Sequence, residues 1–165
     1  MGAAVQNFPV ASGRPGRHII RLAGHVVDAL DGRAWLVTYS PLDDSILIAA
    51  AERGLSLRTL DLSSGGETAY LDYVASLFEA PRLKGLVRVG LAPALNEWLL
   101  TEPDIENQLA MLANPDPWLA GGFTVVPRLA LFRGVKNAEG VDCDALMEAH
   151  RAFWDGCGAG LRENI

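Results

Sequence analysis

AAAERGLSLRTLDLSSGGETAYLDYVASLFEAP, residues 49–81, decides the fold class, because the chain there turns from helix to strand and back to helix. The stretch closes a helix that starts further upstream. In PLDDSILIAAAERG, Pro41 suits a first turn, Asp43 and Asp44 complement the positive end of the helix dipole, and Gly54 is a stop signal. LSLRTLDLS then alternates apolar and polar residues and reads as a strand, with Leu60 and Leu62 adding burial on its second face. Ser64 and Glu67 stand at capping-box spacing. Behind them Tyr70, Tyr73, Val74, Leu77 and Phe78 form one apolar stripe, and Pro81 is expected to end the helix.

Working outward, residues 1–17 are rich in Gly, Pro and Ala and read as a flexible arm, followed by a single α/β domain over 18–165. HIIRLAGHVVDALDG reads as a strand and a short helix, or as a hairpin, and AWLVTYS as a buried strand. After Pro81, KGLVRVG is a short strand or a loop, APALNEWLL a short helix, and IENQLAMLA a second amphipathic helix. NPDPWLAGG is a breaker region. FTVVPRLALFRG is a strand run in which Pro127 marks an edge, a bulge or two separate strand pieces. The last helix is capped by Asp142, carries Leu146, Met147, His150, Phe153 and Trp154 on one face, and is expected to stop at Gly156 and Gly158. This order predicts an α/β domain with a small, mostly parallel sheet packed by helices.

The 165 residues are half hydrophobic, about a fifth charged, and carry a net charge of -6. That is globular composition with material for one core. An acidic surface repels phosphate backbones, so nucleic acid is not an expected partner, whereas a basic protein is. The longest apolar runs are too short to span a bilayer, and no secretory signal is read at the N-terminus. Gly2 lacks the Ser or Thr that myristoylation expects at position six, where Gln6 stands. Two cysteines, Cys143 and Cys157, make no disulfide framework. A cytoplasmic protein that meets no membrane is expected.

The residues offer little to catalysis. The histidines are His18, His25 and His150, and no GxSxG elbow occurs. Cys143, His150 and Cys157 are spaced at sevens, looser than the paired spacing of zinc sites. SSGGE lies between a strand and a helix, where phosphate cradles lie, but lacks the GK[ST] of a P-loop. No catalytic residue, metal or cofactor is therefore expected. The acids of NEWLLTEPDIE stand out instead. Glu97, Glu102, Asp104 and Glu106 cluster beside Trp98, which reads either as a solvated face or as a docking surface for a basic partner.

The order from Ala49 to Pro81 resembles the barstar-like family of ribonuclease inhibitors. The carrying features are a small-residue helix, Gly54, a strand ending in Asp61 and Leu62, the Tyr70–Phe78 stripe, Pro81, and Gly85 four residues later. VVPRLALFRG and DALMEAHRAFWDGC resemble later parts of the same family. The resemblance implies an intracellular inhibitor whose acidic side chains enter a nuclease active site. At the family's acidic segment this chain departs from the pattern. Aligning Ala94 and Leu95 puts Pro93 at the first acidic position, Glu97 at the second, and Leu83 where the family carries an aromatic residue. VVPRLALFRG also resembles the cis-proline strand of thioredoxin-like proteins, but no CxxC accompanies it.

The sequence thus leads first to a non-enzymatic protein-binding domain, an inhibitor or immunity protein, docking through Glu97, Trp98, Glu102, Asp104 and Leu83. One alternative is a small enzyme with a site assembled around His25 or His150. Another is an assembly subunit held by Trp118, Phe123 and the VVPRLALF edge. A histidine sharing a pocket with a second polar group would favour the enzyme.

Overall fold

The computed structural model describes residues 14–39, 41–112 and 114–162. The elements run α1 (Arg14–Leu30), β1 (Trp35–Thr38), α2 (Asp43–Glu52), β2 (Arg58–Asp61), a 3-10 turn (Leu62–Ser64), α3 (Thr68–Leu77), α4 (Pro81–Val89) and α5 (Leu91–Thr101). There follow α6 (Ile105–Gln108), β3 (Leu109–Leu112), α7 (Asp116–Ala120), β4 (Thr124–Arg128), β5 (Leu131–Val135) and α8 (Cys143–Arg162). The strands form a five-stranded sheet ordered β2-β1-β3-β5-β4. β1 is parallel to both β2 and β3, while β5 is antiparallel to β3 and β4. Four strands therefore point one way, and the fold is the expected α/β class with a mixed, mostly parallel sheet.

Alternation along β1 divides the interior into two cores. Trp35 and Val37 face one side with Leu109 and Met111 of β3, beneath α3, α4, α5 and α7. Leu36 and Ala110 face the other, beneath α1 and α2. β1 is buried at every position, as a central strand covered on both faces must be. On the first face Trp35 stacks on Phe78 at 5.1 Å, and Trp98 meets both rings edge-on. On the second, small residues let α1 and α2 pack closely. Ala49 and Ala50 pack in one cluster with Ala23, Val27 and Leu30.

Several elements differ from the sequence reading, each for a local reason. α1 is one helix from Arg14, so positions 14–17 of the expected arm are helical, and the arm's remaining residues 1–13 lie outside the described residues. The stretch read as a strand and a short helix, or a hairpin, is thus continuous helix, and at Gly24 the Arg53 guanidinium crosses α1 to pair with Asp28 at 3.2 Å; a Cβ on Gly24 would meet that guanidinium at 3.0 Å. Pro81 does not end α3 but opens α4, the segment read as a strand or loop. The capping box does not form. Glu67 occupies the cap position without a side-chain bond, and Ser64 bonds back to Asp61.

IENQLAMLA is helical only to Gln108, after which Leu109–Leu112 is the middle strand of the sheet. NPDPWLAGG contains the short helix α7, which buries Trp118 completely. The Pro127 run is two strands joined at Leu129 and Ala130, with Leu129 in the left-handed region at φ 57. Pro127 lies on the edge strand β4, where its missing N–H breaks no ladder. Asp142 caps α8 as expected by accepting the Ala145 N–H at 2.9 Å, but the helix runs through Gly156 and Gly158 to Arg162.

Candidate functional site

The acidic segment is the first place to look, and the fold has used most of it. α5 turns Ala94, Leu95, Trp98 and Leu99 onto the sheet, so Trp98 is 4 % exposed and belongs to the aromatic core rather than to a docking surface. Leu83 is likewise buried, on α4. Glu97 is held by Arg82 at 2.7 Å. Glu102 accepts from the Gln108 amide, Asp104 from the Asn107 amide, and Glu106 from the Lys136 backbone N–H. Each acid therefore already has a local partner, and neither Trp98 nor Leu83 is accessible as an anchor. The assembly anchors fare the same way. Trp118 is wholly enclosed and Phe123 is buried beside it, their rings 4.8 Å apart.

The histidines meet rings rather than acids. His25 on α1 packs edge-on to Phe153 of α8 at 5.1 Å. His150 accepts the Trp154 indole N–H at 2.7 Å. Among the described residues no carboxylate or hydroxyl hydrogen-bonds to either ring, so a nucleophile–base–orienter chain has no geometry here. Cys143 is free and exposed. Among the described residues no group of three metal-ligating side chains converges.

Parallel sheets place ligands at the carboxyl ends of their strands, and here those ends carry a polar knot. Thr38 and Asp61 are register partners at the ends of β1 and β2. The fully buried Thr38 hydroxyl donates to Asp43 at 2.8 Å, and the second Asp43 oxygen is enclosed without a partner. Burial pushes the Asp43 carboxyl above its ordinary range, against the Thr38 bond that favours the ionised form. Burial also acts on Asp61, but hydrogen bonds from Ser63 and Ser64 outweigh it and hold this carboxyl low. The Tyr70 hydroxyl accepts the Asp61 N–H at 2.7 Å, which ties α3 to β2. The knot fastens strand ends to helix starts, and its central hydroxyl is closed to any substrate.

Among the described residues, uncovered apolar surface lies along α1 and α8, on the Leu36–Ala110 face of the sheet. Ile19 and Leu22 stand one turn apart on α1, and Met147, His150 and Trp154 follow a single stripe on α8. Trp154 is 49 % and Met147 64 % exposed. Leu22, Leu129, Phe132, His150 and Trp154 line a groove of about 370 Å³ between the helices and the β4–β5 turn. The sequence shows the α8 stripe but gives it the signature of a core face. Only the three-dimensional arrangement shows that, among the described residues, nothing packs over Met147 and Trp154.

No helix among the described residues is long and apolar enough to cross a membrane. Comparison with known proteins gives no match: no family model fits the sequence, and no curated protein or solved structure is significantly similar to it. The functional reading therefore rests on the geometry of the chain itself.

Proposed function

We propose that the chain is a non-enzymatic protein-binding domain that docks through the α1–α8 face, and that the occupant this face fits is a second copy of the chain. The observation that carries this is the uncovered apolar groove with its exposed rim of Ile19, Met147 and Trp154. A helix pair with a continuous apolar stripe open to water marks an interface.

The charges beside the groove choose the occupant. Along the sequence α1 carries Arg14, Arg17 and Arg21 before its first acid, Asp28, whereas α8 carries Asp144, Glu148 and Asp155 against Arg151 and, at its last position, Arg162. The sequence of α1 is thus basic before Asp28, and that of α8 is acidic from Asp144 to Asp155. A two-fold axis through the groove sets each flank against its opposite, the self-complementarity that an isologous dimer needs. The inhibitor implied by the barstar-like resemblance would need a free acidic face, and Glu97, Glu102 and Asp104 are already engaged.

Size-exclusion chromatography with light scattering tests the reading. The expected result is a monomer–dimer equilibrium that shifts with protein concentration and weakens with salt. Met147→Glu together with Trp154→Glu should give monomer at every concentration, with an unchanged circular dichroism spectrum. A wild-type chain that stays strictly monomeric at high micromolar concentration overturns the proposal, as does a dimer indifferent to these substitutions.

A further inference from the structure

We propose that the pocket under the start of α8, floored by Arg33, Arg128 and Arg133, is a binding site for a small organic acid with an apolar body. The register of the hairpin creates the floor. Val126 pairs with Arg133 and Arg128 with Leu131, so Arg128 and Arg133 project from the same face of the sheet. Arg33, from the turn between α1 and β1, completes a group of three guanidinium ions lining a cavity of about 310 Å³. In a chain of net charge -6 this is an unusual concentration of positive charge.

The arginines are not neutralised. Asp31 serves two of them, at 3.2 Å from Arg133 and 3.8 Å from Arg128, and is itself mostly in solvent. Asp142 also lines the pocket, but it caps α8 through the Ala145 N–H. Arg33 donates its Nε–H to the Glu106 carbonyl and an Nη1–H to the Leu30 carbonyl, neither of which carries a formal charge. Arg133 is only 9 % exposed. Its Nη2 donates to the Ala29 carbonyl and to Asp31, while its Nε–H is buried without any acceptor. A buried charged donor left unpaired is costly, and an oxyanion held by Arg128 at the pocket wall would offset the excess positive charge around it. Burial, reinforced by Arg33 and Arg128, lowers the Arg133 pKa to about 10, the direction expected where positive charge is in excess.

The rest of the wall determines which acid fits. Val141, Leu146 and Ala149 offer hydrocarbon from the α8 side, and Val126 adds to the floor beside Arg133. A carboxylate with a short alkyl tail can place its head on the floor and its tail against α8, whereas a bare anion uses only the floor. The site shares neither lining residues nor chemistry with the groove proposed for self-association.

Titration of the full chain with sodium hexanoate, followed by two-dimensional NMR, tests the assignment, with acetate and hexanol as the head-only and tail-only controls. Hexanoate is expected to shift the Arg133 Nε–H signal and the amides of β4, β5 and the first turn of α8. Acetate should bind at least about tenfold more weakly, for want of the four methylenes that hexanoate buries. Hexanol should leave the Nε–H signal in place. Arg128→Gln, at a half-exposed position and expected to leave the circular dichroism spectrum unchanged, should weaken hexanoate about tenfold. An unmoved Arg133 signal, equal affinity for acetate and hexanoate, or undiminished binding by Arg128→Gln would each overturn the proposal.

Discussion

Gly134→Ala should be among the most damaging single-atom changes in the chain, although its site is an ordinary strand position. A Cβ at residue 134 would fall among the ring atoms Cε3, Cδ2 and Cζ3 of Trp118. Trp118 cannot retreat, because it is wholly buried and wedged against Phe123. The change overpacks a dense interior, for which a cost of about 3 kcal/mol is expected. In a chain of 165 residues each kcal/mol lowers the melting temperature by about 2–4 °C, so the expected drop is roughly 6–12 °C. Trp118→Ala alone should cost about 3–5 kcal/mol by opening a cavity. Once the ring is gone, the methyl at 134 enters empty space, so the double variant should be at least about 1 kcal/mol more stable than the sum of the singles. Urea unfolding of the four proteins measures this directly. A single Gly134→Ala variant within about 1 °C of wild type, or strict additivity in the cycle, would refute the account of how α7 seats on the sheet.

Three further expectations follow from the site residues. Trp98→Ala should cost about 3–5 kcal/mol by chemical denaturation, and Glu97→Ala less than about 1 kcal/mol because its pair with Arg82 is at the surface; the reverse order would return Trp98 to the surface. Asp61 is held below its unfolded value, so its contribution is present above the ordinary carboxylate range and is lost as pH falls through the folded pKa. Asp61→Ala should cost about 1 kcal/mol at neutral pH, and the deficit should shrink in acid. Asp43 has the opposite sign. Its folded pKa is raised, so the favourable protonated state is present at low pH and lost as pH rises through that value. Asp43→Asn should therefore gain stability relative to wild type between pH 4 and 7, and parallel melting curves at the two pH values would contradict the burial argument.

Local chemistry by itself determined the helix–strand–helix core from Asp43 to Leu77, the α/β class, the buried strand at Trp35–Thr38, and the Asp142 cap. Each rests on residues a few positions apart: a period, a stop glycine, a cap. Where two local readings compete, the tertiary structure decided. Leu109–Leu112 is made of helix-favouring residues and becomes the central strand because two neighbours and two covering layers are available to it. Exposure was also decided by packing. Trp98 and Trp118 were candidate anchors by composition, yet α5 and α7 bring them against the sheet, while the Met147–Trp154 stripe looked like core and was left in water. The arginine floor sets Arg128 and Arg133 on one face through hairpin register and brings Arg33, a hundred positions before Arg133, beside them. No window of sequence holds that information, because the free energy that sets it comes from burial between distant segments rather than from the preferences of any one of them.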